Sequence, residues 1–189
     1  VKVTWTREDD MTGGIYRPAV RYRFKASIDK AGNMTGFMLH GAGLNAGNST
    51  RQDNFPAGAV DNLLVQSSDY KSPITTGPWR APITNFLAYA EQAFLDEVAM
   101  AAGKDPVQFR LELLDKAQKA PVGKITYEIN RFREVIKLAA EKSGWGKKKK
   151  GVSQGFSVYF SHASYVAQVA EMTMAKGKPV LKKVYAAVD

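Results

Sequence analysis

The chain has 189 residues, of which 44% are hydrophobic and 11% aromatic. This length and composition fit one medium domain or two small ones and exclude a disordered chain. The absence of cysteine excludes disulfides, cysteine-ligated zinc and iron–sulfur clusters within these residues. No apolar run approaches the roughly 18 residues that a membrane-spanning helix needs, so we expect no membrane span.

The net charge is +9, and most of it lies in one segment. Residues 104–150 contain 13 basic and 6 acidic side chains, a net charge of +7. One interpretation is a surface that binds nucleic acid. The other is a lysine-rich, solvated helical face, which the lack of interleaved aromatic residues favours.

Alternating polar and apolar residues predict strands in the first part of the chain. We expect one strand over residues 2–7, a polar loop over residues 8–14 and a hairpin over residues 20–42. A loop of small, turn-forming residues follows at 45–49. An extended segment is predicted at 70–76.

From Ile83 onward the apolar spacing changes to the 3.6-residue period of a helix. The first helix is expected to carry Glu91, Asp96 and Glu97 on its polar face. Asp105–Pro106 is typical of the start of a second helix. The predicted helices are 83–102, 105–119 and 127–142, and the predicted later strands are 151–160, 164–174 and 179–188.

This order of elements predicts an α+β fold, in which three helices form one layer packed on an antiparallel or mixed sheet. Residues 1–82 would be mainly β, residues 83–146 helical and residues 151–189 β. Because the chain starts and stops within strand-like patterns, we expect an internal piece of a longer protein, with any targeting signal outside it. Such a piece would leave apolar faces bare and would self-associate.

The residues Thr76–Pro82 place Trp79 and Arg80 between a glycine and two prolines, at the junction of an extended segment and a helix. A chain that only turns a corner seldom uses these two side chains, whereas a binding site has a use for both. No glycine-rich phosphate loop and no Ser-His-Asp set is identifiable. His162, which lies among small polar residues, is either a solvent-facing histidine or part of a site.

Taken in order, several segments resemble the large subunit of molybdenum hydroxylases, the xanthine dehydrogenase/aldehyde oxidase family. Within that family, the isoquinoline 1-oxidoreductase β-subunit type is the most similar. The resemblance covers nearly the whole chain, and its most specific part is the helix Glu91–Ala99 with the following Ala102–Arg110. The other matching segments are Trp5–Met11, Tyr16–Ala19, Asn45–Ser49, Gly77–Pro82, Gly151–Gly155 and Ser164–Glu171.

The resemblance implies an oxidoreductase subunit that, when intact, binds a molybdopterin cofactor, often as the cytosine dinucleotide. Such a subunit hydroxylates a carbon next to nitrogen in an aromatic heterocycle, or an aldehyde carbon, with oxygen from water. Electrons would leave through a small partner subunit that carries 2Fe-2S clusters. The family's general-base Glu would lie beyond Asp189, so this chain alone would hold no cofactor or metal and would be inactive. The sequence does not give the compartment and leaves open the bacterial cytoplasm and the periplasm.

The resemblance also assigns positions in a site. Arg80 matches the position whose backbone N–H faces a ligand of the molybdenum, where a donor would stabilise a developing anionic oxygen. Trp79 and Pro82 would flank the substrate ring, and His162 would lie near the strand that lines the substrate pocket. Xanthine-type members have Phe at the position of Pro82 and a substrate-binding Arg near Ala57–Gly58. Both departures imply a less polar heterocycle or an aldehyde rather than a purine.

Two other classes of protein stay open. One is a stand-alone basic binding module for nucleic acid or another polyanion, which retention on heparin or DNA with a steep salt dependence would indicate. The other is a pseudoenzyme that kept the scaffold without the cofactor. The residues that follow Asp189 would decide the second alternative.

Overall fold

A computed structural model describes residues 1–78, 81, 83–147 and 149–189. Within these residues the chain forms an α+β arrangement of four helices and six strands. The strands make two three-stranded sheets instead of the one sheet expected. The helices are α1 (Arg7–Gly13), α2 (Thr84–Ala101), α3 (Pro106–Lys119) and α4 (Ile129–Ser143).

The first sheet contains β1 (Ala19–Ile28), β2 (Met34–Leu44) and β3 (Asn62–Tyr70). The strands β1 and β2 form the predicted antiparallel hairpin. Its turn is fixed by the carboxylate of Asp29, which accepts hydrogen bonds from the backbone N–H groups of Ala31 and Asn33, both at 2.8 Å. The strand β3 pairs parallel with β2, which requires the long connection over residues 45–61.

The second sheet contains β4 (Ser153–Ser161), β5 (Ser164–Ala175) and β6 (Lys178–Val188), paired as an antiparallel meander. Helix α4 lies against β5 and β6, and α3 packs against both α2 and α4. Helix α2 contacts β4 of the second sheet and β1 of the first. It therefore connects the two sheets, and its first turn follows directly on the Thr76–Pro82 junction.

Helix α2 is held by apolar burial and by one buried cation. Leu87 and Leu95 are fully buried. Arg110 of α3 is also fully buried, forms an ion pair with Asp96 at 2.8 Å, and donates hydrogen bonds to the side-chain and backbone oxygens of Gln92 at 2.9 and 3.0 Å. Because a guanidinium buried without partners is very costly, these contacts fix α3 against α2.

The helices α2 to α4 lie within two residues of their predicted bounds, but three predictions for the first part of the chain are wrong. Residues 2–6 form no strand and are exposed. The polar loop predicted at Glu8–Asp10 is the first turn of α1, because Thr6 and Asp9 form a capping box in which each side chain accepts a hydrogen bond from the other's backbone N–H at 3.1 Å. The extended segment predicted at 70–76 lies earlier, as β3.

None of the helices in the described ranges is both long and apolar enough to cross a membrane.

Candidate functional site

Three of the four predicted site residues, Trp79, Arg80 and Pro82, lie outside the described residues. The fourth, His162, is described and is exposed at the tip of the β4–β5 hairpin. The geometry of the candidate site therefore comes from the neighbours of the junction and from the groups around His162.

The backbone that leads into the junction is held in a close contact with the segment after α1. Tyr16 and Thr76 form an isolated parallel bridge, and the N–H of Gly77 donates to the carbonyl of Tyr16 at 3.0 Å. A Cβ atom on Gly77 would land on the side chain of Ile15. Glycine at this position therefore permits the approach of the two segments.

The backbone on the far side of the junction is strained. Ala81 and Ile83 have φ angles of 51° and 66°, in the left-handed region that residues with a Cβ rarely adopt. For a β-branched residue such as Ile83 this is a true outlier. Conformations of this kind cost about 1–3 kcal/mol each and cluster at functional sites, so they support the hypothesis that this junction serves a ligand.

A cavity of about 340 Å³ opens beside the junction, within the size range of small-molecule sites. Among the described residues its lining is mostly apolar and includes one cationic side chain. This composition suits a small aromatic ring better than a phosphate group. The described lining residues are Arg17, Pro18, Asn45, Ala46, Thr76, Gly77, Pro78, Ile83 and Phe86.

The loop that begins at Asn45 holds the segment that leads into this cavity. The side-chain amide of Asn45 donates to the carbonyls of Ser72 and Ile74, both at 3.0 Å, and its oxygen accepts from the N–H of Ser72 at 2.8 Å. The backbone N–H of Ala46 donates to the carboxylate of Asp69 at 2.8 Å. The polar side-chain atoms of Asn45 thus hold residues 72–74 in place beside the cavity.

The position of Glu91 on α2 differs from the prediction. Glu91, expected on the polar face, is only 2% exposed. Burial raises the pKa of this carboxyl to about 8, against the opposing effects of Tyr159 and Arg51. Burial, with Glu91 as a further cause, also raises the pKa of Tyr159 and of Tyr22. Glu91 is therefore mostly protonated near neutral pH.

The sequence does contain a signal for this burial. Leu87, Glu91, Leu95 and Ala99 follow one another at intervals of four, so they lie along one side of the helix. The other three are fully buried, which places Glu91 within an apolar row. Its interpretation as a surface residue relied on its charge alone.

His162 is anchored through one ring nitrogen. Its Nδ1 lies 2.8 Å from the Oγ of Ser161. His162 and the following Ala163 have φ angles of 52° and 58°, so both corner residues of the hairpin are in the left-handed region. The structure thus holds this histidine in a defined orientation at the surface, although its sequence neighbours gave no indication of that.

The described residues do not form a pocket for the expected cofactor by themselves. They contain no cluster of three or more His, Cys, Asp or Glu side chains that could hold a metal ion. The described lining of the cavity beside the junction includes one cationic side chain among mostly apolar groups, and a pterin dinucleotide needs several donors for its phosphates. Binding of the cofactor would require groups from other parts of an intact subunit.

Comparisons with known proteins point in the same direction as the motifs. No family model matches the chain. The chain is 23% identical to the isoquinoline 1-oxidoreductase subunit beta of Brevundimonas diminuta over 211 aligned residues, which cover 100% of this chain and 26% of that protein. The chain thus spans about a quarter of the length of this curated relative.

Among solved structures, the chain is similar to the aldehyde oxidoreductase of Desulfovibrio gigas, with a TM-score of 0.51 and 17% identity. This match covers 87% of the present chain and 21% of the other. At this identity the likeness is one of fold.

The shared fold is an α+β scaffold, and the sequence match extends along the whole chain. Both findings support the resemblance to the molybdenum hydroxylase family that the motifs indicated. Within that family, its curated match is the isoquinoline 1-oxidoreductase β subunit.

Proposed function

We propose that the chain is part of the molybdopterin-binding region of an oxidoreductase subunit. The intact subunit would hydroxylate an aromatic N-heterocycle, or oxidise an aldehyde, with oxygen from water. The observation that carries this proposal is the match to an isoquinoline 1-oxidoreductase β subunit over the entire chain. It is supported by the cavity at Gly77–Pro78, which is part of the segment that resembles the molybdenum-contacting residues of the family.

We propose that the substrate is a weakly polar ring or an aldehyde, because of the packing at Ala57 and Gly58. Ala57 is fully buried, and a Cβ atom on Gly58 would strike Ile125. Neither position presents a charged group where xanthine-type members have a substrate-binding Arg. With an apolar cavity next to the junction, this favours an isoquinoline-like heterocycle or an aldehyde over a purine.

Within this proposal Arg80 acts through its backbone N–H, which would donate to a ligand of the metal centre. Trp79 and Pro82 would flank the substrate ring, and His162 would belong to the substrate pocket. The cofactor, proposed as molybdopterin cytosine dinucleotide, supplies the two-electron oxidation when it is bound. The general-base Glu would come from another part of the intact subunit.

We further propose that residues 1–82, 83–146 and 151–189 act as the β, helical and β parts of one larger region, which pairs with a small 2Fe-2S subunit. Large apolar side chains are exposed on α2 and β6, among them Tyr89, Met100 and Leu181. Other parts of the subunit or its partner would cover these side chains. The isolated chain is therefore expected to self-associate, and sedimentation that shows a monomer at high concentration would contradict this.

The central test uses the full-length protein. Metal analysis should find molybdenum, and oxidation of isoquinoline or of an aromatic aldehyde in ¹⁸O-labelled water should give a labelled product. A protein with neither molybdenum nor turnover would refute the proposal and favour the pseudoenzyme.

The role of Arg80 can be separated from its charge by a matched pair of variants. Arg80→Ala keeps the backbone N–H and should retain most of the turnover, whereas Arg80→Pro removes the donor and should lower kcat by about a hundredfold or more. Molybdenum content measured in both variants controls for loss of the cofactor. Equal loss of activity in the two variants would assign the role to the side chain.

The comparisons do not favour the alternative of a basic binding module. Several of the basic side chains are already paired, such as Lys104 with Glu112 at 2.7 Å and Arg133 with Asp115 at 2.8 Å. We therefore expect weak retention on heparin at physiological salt.

A further inference from the structure

The tip of the β4–β5 hairpin has residues that its backbone does not favour. A two-residue turn with both φ angles positive is normally built from Asn-Gly or similar pairs. Here the corner positions are His162 and Ala163, and each side chain costs roughly 1–2 kcal/mol in that region. Asn or Gly would build the same turn with less strain, so the imidazole at this position calls for another explanation.

A continuous row of hydrogen bonds connects this imidazole to the first turn of α2. The Nη2 of Arg51 donates to the Oγ1 of Thr84 at 3.1 Å. The Oγ1 of Thr84 lies 3.0 Å from the Oγ of Ser161, and that oxygen lies 2.8 Å from the Nδ1 of His162. Four side chains from the 45–61 connection, α2, β4 and the turn therefore form one row.

The chemistry of the groups allows a direction that runs from Arg51 to His162. A guanidinium can only donate, so the hydroxyl of Thr84 accepts from Arg51 and can give its own proton to the oxygen of Ser161. The hydroxyl of Ser161 can then give its proton to Nδ1 of His162. In this direction Nδ1 is an acceptor without a proton, and the proton of the neutral ring is on Nε2.

The charge of Arg51 reinforces this direction. Glu91, which interacts electrostatically with Arg51, does not neutralise this cation near neutral pH, because burial raises the pKa of its carboxyl to about 8 and keeps it mostly protonated. The Nε of Arg51 is buried and has no hydrogen-bond partner among the described residues. The cation is thus directed along the row, where it polarises the hydroxyl of Thr84.

We propose that Arg51, Thr84 and Ser161 are positioning residues that hold His162 as the neutral Nε2–H tautomer, so that the ring presents a hydrogen-bond donor to an acceptor atom of the substrate. The acceptor would be the ring nitrogen of an aromatic heterocycle or the carbonyl oxygen of an aldehyde. The identity of the ligand rests on the proposed function. The tautomer of His162 does not depend on that function.

The position of the row fits this role. Its member Thr84 is in the first turn of α2, between Ile83 and Phe86, which line the cavity at the junction. The Nε2 of His162 makes no hydrogen bond to any of the described residues, and the side chain is exposed. A donor that is fixed relative to the cavity and has no internal partner can select substrates by their acceptor atom.

The tautomer can be measured on the chain by two-bond ¹H–¹⁵N correlation NMR of the imidazole rings. The chain has only two histidines, and His40, whose Nε2 lies 2.9 Å from the Oγ of Ser68, is an internal reference. We expect a single Nε2–H tautomer for His162 and a mixture in Thr84→Val and Ser161→Ala, with His40 unchanged. A wild-type ring protonated on Nδ1 would refute the proposal that the row sets the tautomer of His162. A tautomer that neither variant alters would refute it as well.

The role in substrate binding is tested in the full-length enzyme. His162→Leu should raise KM about tenfold, the loss of one hydrogen bond, with a smaller effect on kcat, and His162→Gln, which retains a donor, should recover part of that loss. An unchanged KM in His162→Leu would refute contact with the substrate. If the protein holds no molybdenum, the proposed function fails, whereas the NMR result still decides whether the row exists.

Discussion

Glu91 gives the sharpest test of the packing, because its burial makes the stability of the fold depend on pH. The carboxyl is 2% exposed, and its pKa is raised from 4.5 to about 8, chiefly by burial. Above pH 4.5 the unfolded chain loses this proton, whereas the folded chain keeps it up to about pH 8. The stability that this group contributes is therefore fully present below pH 4.5 and is lost as the pH rises to 8.

The magnitude follows from the difference in pKa. Each pH unit in this window lowers the free energy of unfolding by about 1.4 kcal/mol, which amounts to about 3 kcal/mol at neutral pH. Glutamine has nearly the same shape and cannot ionise. Relative to the wild type, Glu91→Gln should therefore gain about 2 kcal/mol of stability between about pH 6 and pH 8.

The assay is urea unfolding of both proteins at several pH values across this range, with the midpoint and slope fitted separately. Glu97→Gln, the same substitution on the same helix at an exposed position, is the matched control. If the wild type and Glu91→Gln have parallel pH profiles, the carboxyl is not buried as a proton-bearing group, and the assignment of its environment is wrong.

The other predictions concern packing. Arg110→Ala should cost about 3–5 kcal/mol, because it leaves the partners of a fully buried cation unpaired, and denaturant unfolding would measure it. Gly77→Ala should destabilise the junction, because the new methyl group would meet Ile15, and faster hydrogen exchange near residue 77 would reveal it. Leu95→Ala should cost about 2–5 kcal/mol, whereas Tyr89→Ala, at an exposed position of the same helix, should change stability by less than about 0.5 kcal/mol. Equal costs for these last two variants would show that the helix faces are misassigned.

The helices and the hairpins could be predicted because their signals are local. The N-cap carboxylate of Asp105 accepts hydrogen bonds from the N–H groups of Val107 and Gln108, both at 2.9 Å, as the Asp-Pro pair indicates. Gly144 ends α4 in the left-handed conformation, which glycine adopts without strain. The prediction of a strand at residues 2–7 failed because alternation alone does not supply a partner strand.

The candidate site was predictable only in part. The segment from Thr76 to Pro82 was identified from its composition, and its described residues line a cavity. The burial of Glu91 and the row that orients His162 were not identified, because each depends on side chains from distant segments. Arg51, for instance, is 33 residues from Thr84 in the sequence, and no periodicity connects them.

The sequence by itself determined the class of fold, the bounds of the three main helices and the family resemblance, since these depend on capping residues, periodicity and short motifs that are read along the chain. Only the tertiary structure decided that the strands form two sheets and that β3 pairs parallel with β2. It also decided that a glutamate is buried in an apolar row and that one imidazole is tied to the first turn of α2. The physical reason is that burial and hydrogen bonding are set by which surfaces meet, and in this chain the surfaces that meet are far apart in sequence.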